Sequence, residues 1–228
     1  MSTPTRRTPR GVGSASQRPN RGPRNPRRTA SRPSLEALEA RSLLATLLVT
    51  TVADTVDPTD DQLSLREAIQ VANGQLATSS LSAVEQGLVF GTLSYPAPNG
   101  IVFGIAGSGV QTINVDSPLP TITAPLFIDG YSQSGSRYNP TEEPDVDRAD
   151  LMIRIDGHAL AVASPSTIAH GIDIQSPNCT ISGLIITGFT GAGVSISGAA
   201  SQGNWLYGNI IGVMPRPVSG RDFVPDPS

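Results

Sequence analysis

Lysine is absent from the chain, and all sixteen basic side chains are arginine. That choice makes no demand on the fold. A single cysteine, Cys179, excludes an intramolecular disulfide framework and leaves the redox compartment open. No run of eighteen apolar residues occurs, so no transmembrane helix is expected. The two histidines, His158 and His170, come without His-x-x-x-His or Cys-x-x-Cys spacing. A catalytic zinc site needs about three protein ligands, so both are read as surface residues. There is neither a glycine-rich phosphate loop ahead of a helix nor a Gly-x-Ser-x-Gly elbow. Aromatic residues make up only 4%, which fits a thin core of stacked aliphatic side chains.

Charge is unevenly placed. Residues 1–45 hold ten arginines against Glu36 and Glu39, whereas residues 46–228 hold six arginines against seventeen acids. The acidic body argues against nucleic-acid binding by the folded part. Residues 1–34 are Arg, Pro, Ser, Thr, Gly and Asn with almost no large apolar side chain. Such a segment buries too little surface to offset its ordering entropy, and it is expected to be disordered. Its arginines read either as a contact for nucleic acid or another anionic surface, or as a solvated tail or the positive start of an export signal. No aromatics interleave them, which favours the second reading.

The body is organised around residues 171–212. Short runs alternate apolar and small polar residues, and each ends at Gly or Asn. Ile172 and Ile174 face one way, Asp173 and Gln175 the other; Val194 and Ile196 repeat the pattern twenty-two residues on. The run Ile181 to Ile186 is echoed by Leu206 to Ile211, twenty-five residues on. Self-similarity at a period in the twenties, built of strands and turns, marks a solenoid. The fold class expected is all-β: a short right-handed parallel β-helix with few coils, one N-terminal capping α-helix and a disordered tail. Cys179 alternates with Thr180 and is placed inward with Ile181 as a small core residue. An antiparallel sandwich with hairpins is the alternative fold.

Residues 35–45, LEALEARSLLA, fit a short amphipathic helix with Ser34 as N-cap. Leu35, Glu36, Leu38, Glu39, Arg41, Leu43, Leu44 and Ala45 match a Leu-Glu-x-Leu-Glu-x-Arg-x-Leu-Leu-Ala pattern. The segment resembles the planctomycete extracellular N-terminal motif, and the resemblance implies export to the cell surface or the medium. Residues 46–53 read as the first strand. Asp54, Asp57, Asp60 and Asp61 invite a Ca2+ reading, but an EF-hand loop starting at Asp54 would need Gly at Thr59 and Glu at Leu65.

Residues 64–73 form the clearest helix. Ser64 and Glu67 make a capping box, and Leu65, Ala68, Ile69 and Ala72 lie on one face. Such a helix suits the open end of a β-helix, which otherwise exposes core and unpaired strand edges. The run Leu63-Ser64-Leu65-Arg66-Glu67-Ala68 resembles the CSLREA segment of bacterial β-helix proteins, with Leu63 where that motif has Cys. Arg66 and Glu67 are assigned to the cap and the surface. Residues 46–130 are thus the N-terminal cap and first strands, with a loop excursion over 75–100 that holds a short helix near 81–86. A polar loop covers 131–150, coils 151–212 and an irregular tail 213–228. The chain is expected to be a piece of a longer β-helix protein, or to use its final segment as an improvised cap.

The candidate site residues are Asp129, Arg154, Asp156 and Asp173. The run Leu126 to Gly130 is restated by Ile153 to Gly157, twenty-seven residues on, which stacks Asp129 against Asp156. Stacked carboxylates splay apart, share a proton or bridge a Ca2+ ion; no other cofactor is expected. Asn178-Cys179-Thr180 matches a glycosylation sequon. The leading functional reading is an exported structural or adhesive module that displays a flat polar face to glycans and self-associates through an open end. The alternative is a carbohydrate-active enzyme resembling pectin lyases, in which a basic residue abstracts a proton beside a uronate carboxylate and Ca2+ assists. With no lysine, Arg154 is the base available, and the repeat places Phe127 beside it.

Overall fold

A computed structural model describes residues 45–94, 98–138, 149–214 and 224–225. Residues 1–34, the motif residues Leu35, Glu36, Leu38, Glu39, Arg41, Leu43 and Leu44, and the acids Glu142, Glu143, Asp145 and Asp147 lie outside the described residues. No helix of the described residues is long and apolar enough to cross a membrane.

The described chain is mostly short strand, and its sheets are mainly parallel. The first sheet is built from β1 (Thr46–Val49), β2 (Val89–Phe90), β3 (Asn99–Phe103), β5 (Leu126–Asp129), β8 (Thr180–Ser182) and β11 (Trp205–Tyr207), in the order β11-β8-β5-β3-β1-β2. The second contains β4 (Gln111–Asn114), β6 (Ile153–Asp156), β9 (Leu184–Thr187) and β12 (Ile210–Ile211), in the order β12-β9-β6-β4. The third pairs β7 (Ile172–Ile174) with β10 (Val194–Ile196), and a parallel bridge from Ile122 to Ile174 extends it. The chain visits the three sheets in one fixed order: β3, β4 and Ile122, then β5, β6 and β7, then β8, β9 and β10, then β11 and β12. Among the described residues antiparallel pairing is confined to β1 with β2, the bridge from Arg137 to Asp150, and β13 (Val213–Met214) with β14 (Val224–Pro225). The sandwich alternative is therefore not what forms.

Alternation within each strand selects the interior. Leu47, Ile101, Ile128, Ile181 and Leu206 lie in register across the first sheet. Ile113, Ile155, Ile186 and Ile211 do so across the second, and Ile122, Ile174 and Ile196 across the third. All but the last rung of each ladder are fully buried, as is Cys179. Burying one such side chain contributes roughly 1.5–3 kcal/mol. The last rungs, Leu206, Ile211 and Ile196, are 41–43% exposed, and among the described residues no further strand stacks on them. Within the described residues the stack is open at that end.

Its other end is closed by α1 (Leu65–Ala72), which packs on β1 and β3. Leu65, Ala68, Ile69 and Ala72 are buried beneath it, as the sequence pattern predicts. Ser64 accepts from the Glu67 N–H, and Glu67 Oε2 accepts from the Ser64 N–H at 2.9 Å, completing the capping box. Glu67 also accepts from the Asp57 N–H at 2.8 Å. Arg66 is not a surface residue. Its Nε and one terminal nitrogen clamp Asp54 at 2.9 and 2.7 Å, and its guanidinium also donates to the Ser117 and Pro118 carbonyls. The Asp54 side chain is fully buried, so it needs that positive partner.

Several boundaries differ from the sequence reading. The first strand ends at Val49, because Thr50 turns to exchange hydrogen bonds with Leu63 at 3.0 and 3.1 Å. The excursion holds α2 (Ala83–Gln86), close to where the short helix is expected, and also β2, which pairs with β1. A helix, α3 (His158–Ala163), follows β6 unforeseen; its N-cap, Gly157, has no side chain to signal it. Of the irregular tail, β13 and β14 form a ribbon of two-residue strands, too short to show alternation.

Two outcomes follow from the cap. Arg66→Ala leaves the buried Asp54 carboxylate without its cation and is expected to cost about 3–5 kcal/mol, whereas Arg66→Ala with Asp54→Ala is expected to cost less; urea unfolding of the three proteins checks this. Glu85, the second capping-box glutamate, is fully buried, and its Oε1 has no hydrogen-bond partner among the described residues. Burial holds its carboxyl above the usual value, with the Glu67 carboxylate pushing the same way. An acid whose pKa is raised in the folded state destabilises that state as pH rises past its unfolded value. Glu85→Gln should therefore raise Tm by about 2–4 °C at neutral pH, and the gain should vanish in acid where the wild-type carboxyl is protonated.

Candidate functional site

The four sequence candidates do not converge. Asp129 lies on the first sheet, Arg154 and Asp156 on the second and Asp173 on the third. The expected stacking of Asp129 on Asp156 does not occur. Asp129 is in register with Val102 and Ser182, and Asp156 with Asn114 and Thr187. What recurs after twenty-seven residues is a strand exit, not a coil. Each aspartate accepts from the N–H two residues on, Asp129 from Tyr131 and Asp156 from His158, both at 3.0 Å. A Ca2+ bridge between these two carboxylates has no geometry to stand on. Phe127 is likewise not beside Arg154, whose neighbours are Thr112 and Ile185.

Arg154 and Asp156 do meet. They form an ion pair at 2.6 Å with both side chains largely buried, and Arg154 Nε donates to Thr187 Oγ1 at 3.0 Å. Asp173 accepts from Thr121 Oγ1 at 2.9 Å and from Gln175 at 3.2 Å. His158 is exposed, while His170 is half-buried and its Nδ1 accepts from the Ala192 N–H at 3.0 Å. Burial pushes the Cys179 thiol up, which keeps it an inert core group. Of the acidic string, Asp57 binds Thr59 and Asp60 binds the Gln62 N–H. Among the described residues no three acidic, histidine or cysteine side chains gather to hold a metal ion. Ala45, the last residue of the Leu-Glu-x-Leu-Glu pattern, is buried, and its carbonyl accepts from Gly100. Asn178 of the sequon is exposed at a left-handed corner.

The outer face of the first sheet holds what the sequence reading left out. A flat polar display face is what the sequence predicts, without saying which sheet forms it. Register instead sets Phe127, Thr180 and Trp205 in one outward row and Asp129, Ser182 and Tyr207 in the next. Beside the second row lies Tyr131, which follows Asp129 by two residues. Its ring lies over the corners that lead from the first sheet to the second, at Gly183 and Gly208. Both glycines have positive φ, and a Cβ on either would strike the Tyr131 ring or its hydroxyl. Tyr131 Oη donates to the Gly208 carbonyl at 3.1 Å.

Tyr138 stacks on Tyr131 with centroids 3.9 Å apart and ring planes 28° from parallel. Its phenol is held above its ordinary value, chiefly by desolvation and further by Asp129 and Tyr207. Trp205 is 69%, Tyr138 61% and Tyr207 43% exposed. Every tyrosine and tryptophan among the described residues therefore sits on this one face. The twenty-five-residue shift already orients Trp205 and Tyr207 outward beside Thr180 and Ser182. Nothing local in the sequence brings Tyr131 and Tyr138 to them.

Compared with family models, curated proteins and solved structures, the chain finds no match.

The geometry of the aromatic face separates structural from displayed rings. Gly208→Ala forces a left-handed alanine against Tyr131 and is expected to cost at least about 1–2 kcal/mol. Tyr138→Ala removes a mostly exposed ring and is expected to change stability by less than about 1 kcal/mol. Thermal unfolding of the two variants checks the contrast.

Proposed function

We propose that this chain is an exported, surface-displayed right-handed parallel β-helix module that binds glycans through the outer face of its first sheet. The fixed order in which the chain visits three parallel sheets supports the β-helix reading. Right-handed crossovers are the rule for parallel strands joined within one sheet. The resemblance of residues 35–45 to the extracellular N-terminal motif supports export, and the resemblance of residues 63–68 to the CSLREA segment supports the capped β-helix. The observation that carries the binding function is the gathering of Trp205, Tyr207, Tyr131, Tyr138 and Phe127 on one face. Exposed rings are costly to leave in water and mark contact surfaces. The apolar face of a sugar ring stacks on such a platform, while Thr180 and Asp129 offer partners to its hydroxyls.

The lyase alternative draws less support. Arg154, the base it requires, is tied to Asp156 and Thr187, and the remaining acids lie on other sheets. The exposed last rungs support a second role, end-to-end association of the module.

The reading is tested by affinity electrophoresis of the full chain in gels carrying neutral, acidic or amine-bearing polysaccharides. Retardation in at least one gel is expected, and Trp205→Ala combined with Tyr138→Ala should abolish it. Migration unchanged in every gel would overturn the proposal. Release of unsaturated product from the acidic polymer would transfer the function to a lyase.

A further inference from the structure

Charge on the aromatic face is not balanced. Each arginine among the described residues already has a carboxylate: Arg66 holds Asp54, Arg154 holds Asp156 and Arg137 lies 3.7 Å from Asp150. Among the described residues Asp129 has no cation. One of its oxygens accepts from the Tyr131 N–H at 3.0 Å and from Ser182 Oγ at 3.4 Å, and the other accepts no hydrogen bond within the described chain. It is a carboxylate on the face that carries the rings, close enough to Tyr138 to act on its phenol, and ring faces are themselves negative. Arg137 precedes Tyr138 in the chain, but its side chain is mostly exposed and directed to Asp150. The body of the chain is acidic as a whole.

We infer that the ligand of this face is an amine-bearing sugar polymer, its ammonium group paired with Asp129 and its rings stacked on Tyr138, Tyr207 and Trp205. The inference rests on the glycan-binding reading and adds the ligand's charge. A cation is drawn to aromatic faces and to the carboxylate together. The rings do not close into a cage of the kind that takes a compact quaternary ammonium. They are spread: Trp205 and Tyr207 stand about 7 Å apart along their strand, and Asp129 lies two strands from Tyr207, about 10 Å away. An extended chain of sugar rings spans such a surface, and its regularly placed amines bring one to Asp129.

Trp205 is the only tryptophan in the chain, so its emission reports on this face alone. The full chain is titrated with β-linked glucosamine oligomers, and in parallel with the same oligomers N-acetylated. A saturable change in Trp205 emission is expected with the amine form, at least tenfold tighter than with the acetylated form and weakened by added salt. Asp129→Asn should erase that preference without lowering Tm. Equal affinity for the two forms, or an unchanged preference in Asp129→Asn, overturns the charge assignment and leaves the glycan-binding reading in place. Should neither form alter the emission, and no polysaccharide gel retard the chain, both readings fall together.

Discussion

Everything in this chain rests on strands pairing in parallel and in register with those one turn earlier. That constraint makes the interior a set of aliphatic columns, since each inward position must fit directly over another. Leu47, Ile101, Ile128, Ile181 and Leu206 form one such column across the first sheet. It also makes the outside a set of columns, and there the chain is free to place other chemistry. Between sheets the backbone must turn sharply, and glycine takes those corners. At Gly183 and Gly208 the lost side chains leave a bed on which Tyr131 lies. The requirement that gives the core its shape thus also seats the first ring of the displayed surface.

The repeat was legible where the turns between strands carry no insertion. The twenty-two-residue match of Ile172 with Val194 and the twenty-five-residue match of Ile181 with Leu206 are both realised as strand pairs. The match of Leu126 to Gly130 with Ile153 to Gly157 was equally clear in letters and is not a pairing. Aspartate before glycine ends a strand in the same way wherever it occurs, by accepting the N–H two residues ahead. Local turn chemistry therefore imitates a repeat when two consecutive sheets use it. The capping helix was readable to its ends, because Ser64, Glu67 and the apolar face agree with one another. The burial of Arg66 was not, because its partners come from residues 54, 117 and 118.

The aromatic face was legible only in part, for a related reason. Tyr131 and Tyr138 sit in a polar excursion, and Trp205 and Tyr207 in the last turn. Only the stacking of β5, β8 and β11 makes them neighbours. The charges follow the same logic. The arginines of the described residues that look available in the sequence are committed by tertiary pairing, and of Asp129 and Asp156, which look alike, only Asp156 has a cation among those residues.

The two ends of the stack are unlike. One is sealed by α1, and the other presents three half-exposed aliphatic rungs. This gives assembly a direction. The sealed end comes first in the chain, so each completed turn offers the next a finished template of strand edges and matching side chains. Folding can then advance in the order in which the polypeptide emerges, without waiting for distant segments. A chain built this way lengthens by adding turns at its far end while its beginning stays unchanged.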